Sequence, residues 1–148
     1  MANTPFLHTL NVGNVMKVNP LEKIHILVVE DEKFMRSLIC RLLYELETRK
    51  TTDVENGEEG IKALAADAPL VDVILLDIEM PEMDGLEFLQ LVRHSEGTLQ
   101  TPDVPVIMLT GHSGDDKVKR ALDLGIQGYL LKPVSKKAML TRIIHAIK

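Results

Sequence analysis

One cysteine, Cys40, is all that the 148 residues contain. No disulfide can therefore close within the chain, and a Cys-rich zinc module is excluded. Long apolar runs are missing too. A membrane-spanning helix needs about 20 apolar residues, whereas the longest stretches here, such as residues 73–76, are strand-sized. The opening MANTPFLHTLNVGNV has neither a basic n-region nor a continuous apolar segment, which argues against a secretory signal. Positive charge is scarce as well: 17 Lys and Arg face 22 Asp and Glu, a formal net charge of −5. Phosphate binding depends on a cationic surplus, so nucleic acid is not expected as a direct partner. What is present, 45% hydrophobic and 26% charged residues, is the composition of a single soluble domain, expected in the cytoplasm and away from membranes.

Residues 1–20 carry one charge, Lys17, with four Asn and two Pro, and read as a loose arm; residues 21–148 form the body. Residues 24–29 are apolar apart from His25 and end abruptly in Glu30-Asp31-Glu32. Phe34, Met35, Leu38, Ile39, Leu42, Leu43 and Leu46 then recur at helical spacing. A weaker strand over 51–55 leads through Asn56-Gly57 into a helix with Glu58 and Glu59 in its first turn and Ile61, Leu64, Ala65 and Ala68 on one face. Residues 71–76 make a third strand, closed by Asp77, and Asp84-Gly85 opens a helix over 86–93. Residues 104–109 make a fourth strand, closed by Thr110, before a helix over 115–124 that stops at Gly125. Residues 128–131 form the last strand, closed by Lys132-Pro133. Ser135 caps a final helix striped by Leu140, Ile143, Ile144 and Ile147. Five strands alternating with five helices, several of the strands near-continuous Val/Ile/Leu runs, predict a parallel sheet covered on both faces, an open doubly wound α/β fold.

In such a sheet all strand ends lie at one edge, where ligands bind. Four of the five strands end in a reactive polar residue: Glu30 and Asp31, Asp77, Thr110 and Lys132. Carboxylates about 5 Å apart repel by roughly 3 kcal/mol per pair at an effective dielectric near 20. A proton or a cation must sit among them. The candidate ligands are all oxygens, so a hard ion such as Mg²⁺ suits them better than zinc. Metal, hydroxyl and ammonium around an exposed carboxylate equip that carboxylate to accept a phosphoryl group.

The stretches ILVVEDE (26–32), ILLDIEMPEMDGLEFL (74–89), VPVIMLTG (104–111) and GYLLKP (128–133) resemble the receiver domain of two-component response regulators, CheY-like, in order and over nearly all the chain beyond the arm. The block D-x-x-M-P-x-M-D-G is the specific one. The resemblance implies a flavodoxin-like (βα)5 sheet with strand order 2-1-3-4-5. It implies Asp77 as phosphoacceptor for a sensor histidine kinase or histidine phosphotransfer protein. Mg²⁺ would be held by Asp31, Asp77 and the backbone carbonyl of Glu79, with Glu30 acting through water. Lys132 and Thr110 would contact phosphoryl oxygens, Gly111 would leave room for the donor, and Lys132-Pro133 would be cis. Thr110 and Tyr129 would form the switch. The helix 4–strand 5–helix 5 face, residues 115–148, would meet a downstream protein or a second copy of the chain. Gly85 fits a turn that only Gly takes without strain.

Three positions depart from the commonest family pattern. Glu30 stands in place of the usual Asp, Glu79 lies two residues beyond the acceptor, and His112 lies two beyond Thr110; the last two are expected to tune phosphoryl lifetime. Each residue alone has an ordinary structural explanation, as a helix-terminal acid, a turn cap or a solvated lysine, and His8, His25, His94 and His145 have no partners at metal spacing. The joint occurrence decides for a signalling module rather than a metabolic enzyme. The alternatives are a phosphorylation-independent adaptor of the same fold and, less favoured, an Asp-nucleophile phosphatase. That phosphatase class carries D-x-D where this chain has Asp77-Ile78-Glu79.

Overall fold

The computed structural model describes residues 18–66, 69–95, 99, 101–111 and 116–148. Strands and helices alternate as β1 (His25–Val29), α1 (Lys33–Glu45), β2 (Lys50–Val54), α2 (Gly57–Ala65), β3 (Val73–Asp77), α3 (Gly85–Arg93), β4 (Val106–Thr110), α4 (Asp116–Asp123), β5 (Gly128–Leu131) and α5 (Lys136–Ile147). The strands pair in parallel in the order β2-β1-β3-β4-β5, the doubly wound order expected. Composition follows position. The three inner strands, HILVV, VILLD and VIMLT, are buried along their whole length, whereas the edge strand β2, KTTDV, is half exposed.

Alternate strand residues feed two apolar cores, one on each face of the sheet. Leu27, Val29, Ile74, Leu76, Val106 and Met108 pack on one side with Leu64, Phe88, Val118 and Ala121 from α2, α3 and α4. Ile26, Val28, Val73, Leu75, Ile107 and Leu109 pack on the other with Ile39, Leu43, Met139 and Ile143 from α1 and α5. Three helices start on side-chain caps that satisfy otherwise orphaned amides. Asn56 accepts from Glu59 N at 2.8 Å, Ser135 Oγ from Ala138 N at 3.1 Å, and Asp84 forms a reciprocal capping box with Glu87.

Some expectations are corrected. β3 and β4 begin two residues later than the apolar runs, at Val73 and Val106, because Asp72 turns its carboxylate to His25 N (2.8 Å) and Val104 N closes a turn onto Thr101 O. Phe34 and Ala65 do not belong to buried helix faces: Phe34 is 73% exposed, and Ala65 is exposed at the end of α2. Ala68 lies outside the described residues, as do residues 1–17 of the arm. His25 is a satisfied interior histidine, its ring nitrogens 2.8 Å from Thr52 Oγ1 and 3.1 Å from the Leu70 carbonyl.

Candidate functional site

The parallel register brings the polar strand ends together. Val29 lies opposite Leu76, so Glu30 and Asp31 emerge beside Asp77. Asp77 lies opposite Leu109, Thr110 opposite Leu131, and Lys132 N donates to Thr110 O at 2.8 Å. Glu30, Asp31, Asp77, Thr110, Gly111 and Lys132 line one open hollow at this edge. The Lys132-Pro133 peptide bond is cis.

The charges are closely coupled. Lys132 Nζ is 3.0 Å from Asp77 Oδ1 and 3.1 Å from Glu30 Oε1. Asp77 Oδ1 also accepts from Glu79 N at 3.2 Å, and Glu30 Oε2 from Glu32 N at 3.1 Å. Glu30 has no exposed surface, and its Oε1, although ion-paired, accepts no hydrogen bond. Burial first, and the charge of Glu30 second, push the Asp77 carboxyl up to about 7, against the opposing pull of Lys132. Burial pulls the Lys132 ammonium down, but the hydrogen bond and charge of Asp77, joined by Glu30, outweigh it and leave the ammonium held above its ordinary range.

One carboxylate oxygen from each of Glu30, Asp31 and Asp77 can be chosen so that all three lie within 4.8 Å of one another. An all-oxygen set with two buried carboxylates and an Oε1 short of hydrogen bonds fits a hard divalent cation. Thr110 is buried in the same hollow. Among the described residues, a Cβ added at Gly111 would meet nothing within 4 Å. Tyr129 is half-buried on β5 against the core packed by α4. His112 lies outside the described residues.

Residues 26–144 match the family model for the response regulator receiver domain. The chain belongs to that family, the receiver domains of two-component response regulators. It is 34% identical over 119 residues to the response regulator SaeR of Staphylococcus aureus, a match covering 80% of this chain and 48% of SaeR; the receiver domain thus spans about half the length of the curated relatives it matches. Its fold is similar to the chemotaxis protein CheY4 of Vibrio cholerae, with a TM-score of 0.73, 27% identity, and coverage of 84% of this chain and 98% of CheY4. It is also similar to the receiver domain of a signal transduction histidine kinase from Syntrophus aciditrophicus, with a TM-score of 0.69, 30% identity, and coverage of 83% and 89%. Among the described residues no helix is long and apolar enough to cross a membrane.

Other side chains of the receiver domain escaped the sequence reading. Arg36 Nη1 donates to the carbonyls of Glu30 (2.8 Å) and Asp31 (3.4 Å) while its Nε pairs with Asp53 at 3.3 Å. It fixes the loop that carries two of the carboxylates. Lys117 on α4 lies 3.7 Å from Glu79 and 3.9 Å from Asp84, linking that helix to the loop after Asp77. No spacing signal marks either residue, because each acts on an acceptor remote in sequence or on backbone. Gly85 is also explained differently from expectation. It has no positive φ; a Cβ there would stand 2.5 Å from the Asp77 carbonyl oxygen and 2.8 Å from Ile78 Cα. Close approach of backbone, not turn strain, demands the glycine.

Proposed function

We propose that this receiver domain accepts a phosphoryl group on Asp77 from the phosphohistidine of a sensor kinase or histidine phosphotransfer protein. The observation that carries the reading is the Lys132 ammonium between Asp77 and Glu30, at 3.0 and 3.1 Å. It leaves Asp77 Oδ2 as the oxygen for attack, with a cation already in place for the incoming charge. In the transfer an Asp77 oxygen forms the new bond to phosphorus, the P–N bond breaks, and its electron pair stays on the imidazole.

Glu30, Asp31, Asp77 and the Glu79 carbonyl are the residues that would hold Mg²⁺, Glu30 through a water. When bound, the ion supplies positive charge to the phosphoryl oxygens. Lys132 neutralises one phosphoryl oxygen, and the Thr110 hydroxyl donates to another. Drawing Thr110 toward the phosphoryl group frees space for Tyr129, and the face formed by residues 115–148 reports the change to a downstream protein. Glu79 and His112 set how long the acyl phosphate survives. The receiver body takes residues 21–148, and Asn19 of the preceding segment is tied to it by donating to Glu47 O at 2.9 Å. The domain signals in the cytoplasm and performs chemistry only on itself.

Incubating the full chain with acetyl phosphate and Mg²⁺ tests this. The expected result is an adduct of about 80 Da, stable to acid, labile to base, mapped to Asp77 and absent in Asp77→Asn. An adduct elsewhere, or none, overturns the reading. Multiple turnover of a generic phosphomonoester would move the assignment to a phosphatase.

A further inference from the structure

α4 is fastened along its length in different ways. Just beyond its C-terminal end, Arg93 Nε donates to Leu124 O at 3.0 Å and Arg93 Nη2 to Gly125 O at 3.2 Å. Val118 and Ala121 lock its body into the core. At its N-terminal end stands Lys117, whose Nζ lies 3.7 Å from Glu79 Oε2 and 3.9 Å from Asp84 Oδ2. A cation in the first turn works against the helix dipole, which favours anions there. Helix formation therefore does not account for this lysine.

The two carboxylates beside it differ. Asp84 is fixed by its capping box: its Oδ1 accepts from Glu87 N at 3.0 Å, and Glu87 Oε1 accepts from Asp84 N at 2.9 Å. The Glu79 side chain is 66% exposed, and among the described residues Lys117 is the only cation within ion-pair distance of it. Lys132, the other cation nearby, is engaged by Glu30 and Asp77. Glu79 also belongs to the acceptor's surroundings. Its backbone N donates to Asp77 Oδ1 at 3.2 Å, and it lines the same hollow as Asp77 and Thr110. Lys117, set on a core-locked helix and flanked by a fixed Asp84, thus governs where the Glu79 carboxylate rests.

We propose that Lys117 is a positioning residue for the lifetime of the phosphorylated state: it holds the Glu79 carboxylate toward α4 and away from the water that hydrolyses the acyl phosphate. This rests on Asp77 being the phosphoacceptor. Hydrolysis joins the water oxygen to phosphorus and breaks the bond from phosphorus to the Asp77 oxygen. The electron pair returns to the Asp77 carboxylate, inorganic phosphate leaves, and the water gives up a proton. An unpaired carboxylate beside the phosphoryl group accepts that proton as a general base. Held on an ammonium, the same carboxylate is a weaker acceptor and is kept out of reach. An exposed ion pair shifts such an equilibrium by only about two- to fivefold, so Lys117 trims the rate of phosphoryl loss rather than abolishing it.

The test follows decay of the acyl phosphate on the full chain by mass, after acetyl phosphate is removed, with Mg²⁺ saturating for every variant. Lys117→Ala is expected to shorten the half-life roughly two- to fivefold while its urea midpoint stays at the wild-type value. Lys117→Arg keeps the charge and should restore most of the lifetime. Glu79→Gln should decay no faster than wild type. The double variant decides: combined with Glu79→Gln, Lys117→Ala should leave the half-life where Glu79→Gln alone sets it. Equal shortening with and without the Glu79 carboxylate would overturn the proposal, because Lys117 would then act on the phosphoryl group itself. An unchanged or longer half-life in Lys117→Ala would overturn it too, as would a loss that Lys117→Arg does not repair. Each of these outcomes leaves the adduct on Asp77 in place and so spares the phosphoacceptor reading. A wild-type chain that takes up no phosphoryl group on Asp77 would instead overturn both.

Discussion

Lys132 Nζ stands 3.1 Å from Glu30 Oε1, an oxygen with no hydrogen bond on a side chain with no exposed surface. The same ammonium reaches Asp77 at 3.0 Å, so one cation compensates two interior carboxylates. Breaking a buried pair by removing one partner costs about 3–5 kcal/mol. Lys132→Met is therefore expected to lose about 3 kcal/mol at pH 8 in chelator and clearly less at pH 5, where Asp77 is protonated. Urea melts at the two pH values check this. An equal loss at both would show that the side chain acts by packing alone.

The raised Asp77 carboxyl gives a pH dependence with a definite sign. The group ordinarily titrates near 3.8 and in the folded chain near 7. Its proton is held more tightly folded than unfolded, so its contribution to stability is complete below about pH 4 and is lost as pH rises through 7. The span corresponds to a few kcal/mol, roughly 4 at most. In chelator the melting temperature should fall between pH 5 and 8, and the rise on adding Mg²⁺ should grow across the same window, because the ion competes with that proton. Asp77→Asn should flatten both trends. A Mg²⁺ effect independent of pH would contradict the arrangement of these carboxylates.

Arg36 tests whether the loop of Glu30 and Asp31 is held for the sake of the cation site. Its guanidinium spans two loop carbonyls and Asp53. Arg36→Ala should cost about 1–2 kcal/mol of stability through the lost charge-assisted hydrogen bonds. Mg²⁺ affinity should drop several-fold, because the two carboxylates are no longer prepositioned. Arg36→Lys keeps the charge without the fork and should recover stability better than affinity. Mg²⁺ titrations followed by calorimetry measure the affinity; an unchanged affinity in Arg36→Ala would confine the residue to a structural role.

The strands of this domain were legible because burial on both faces leaves little choice of residue: apart from His25, HILVV, VILLD and VIMLT are apolar up to the residue that faces the site. The doubly wound class followed from alternation, the strand order from the family resemblance, and convergence of Glu30, Asp31, Asp77 and Lys132 from the shared edge of a parallel sheet. Contacts that depend on side-chain reach were not legible. Arg36 and Lys117 look like any helix-surface cation until the loops opposite them are placed. Phe34 fits the apolar period of α1 yet points to solvent, since a period marks a stripe without fixing its width. The sequence neighbours of Gly85 suggest a turn glycine; the nearest atoms belong instead to the strand end eight residues earlier.

Two glycines at the site carry opposite expectations for the same substitution. A Cβ at Gly85 would press against the Asp77 carbonyl oxygen at 2.5 Å and Ile78 Cα at 2.8 Å. Both are backbone, so they cannot swing aside, and the Gly85 amide is itself bonded to Ile78 O at 3.0 Å. Gly85→Ala is expected to lose about 2–3 kcal/mol, in the range of an overpacked core, and to slow phosphoryl uptake by shifting the strand end that carries Asp77. Gly111 has nothing among the described residues within 4 Å of an added Cβ. Gly111→Ala should therefore stay within about 0.5 kcal/mol of wild type, with any change in phosphorylation rate reporting on donor access rather than on folding. Parallel urea melts and acetyl phosphate time courses separate the two effects. Equal stability losses would show that the β3–α3 approach yields more easily than its backbone distances imply.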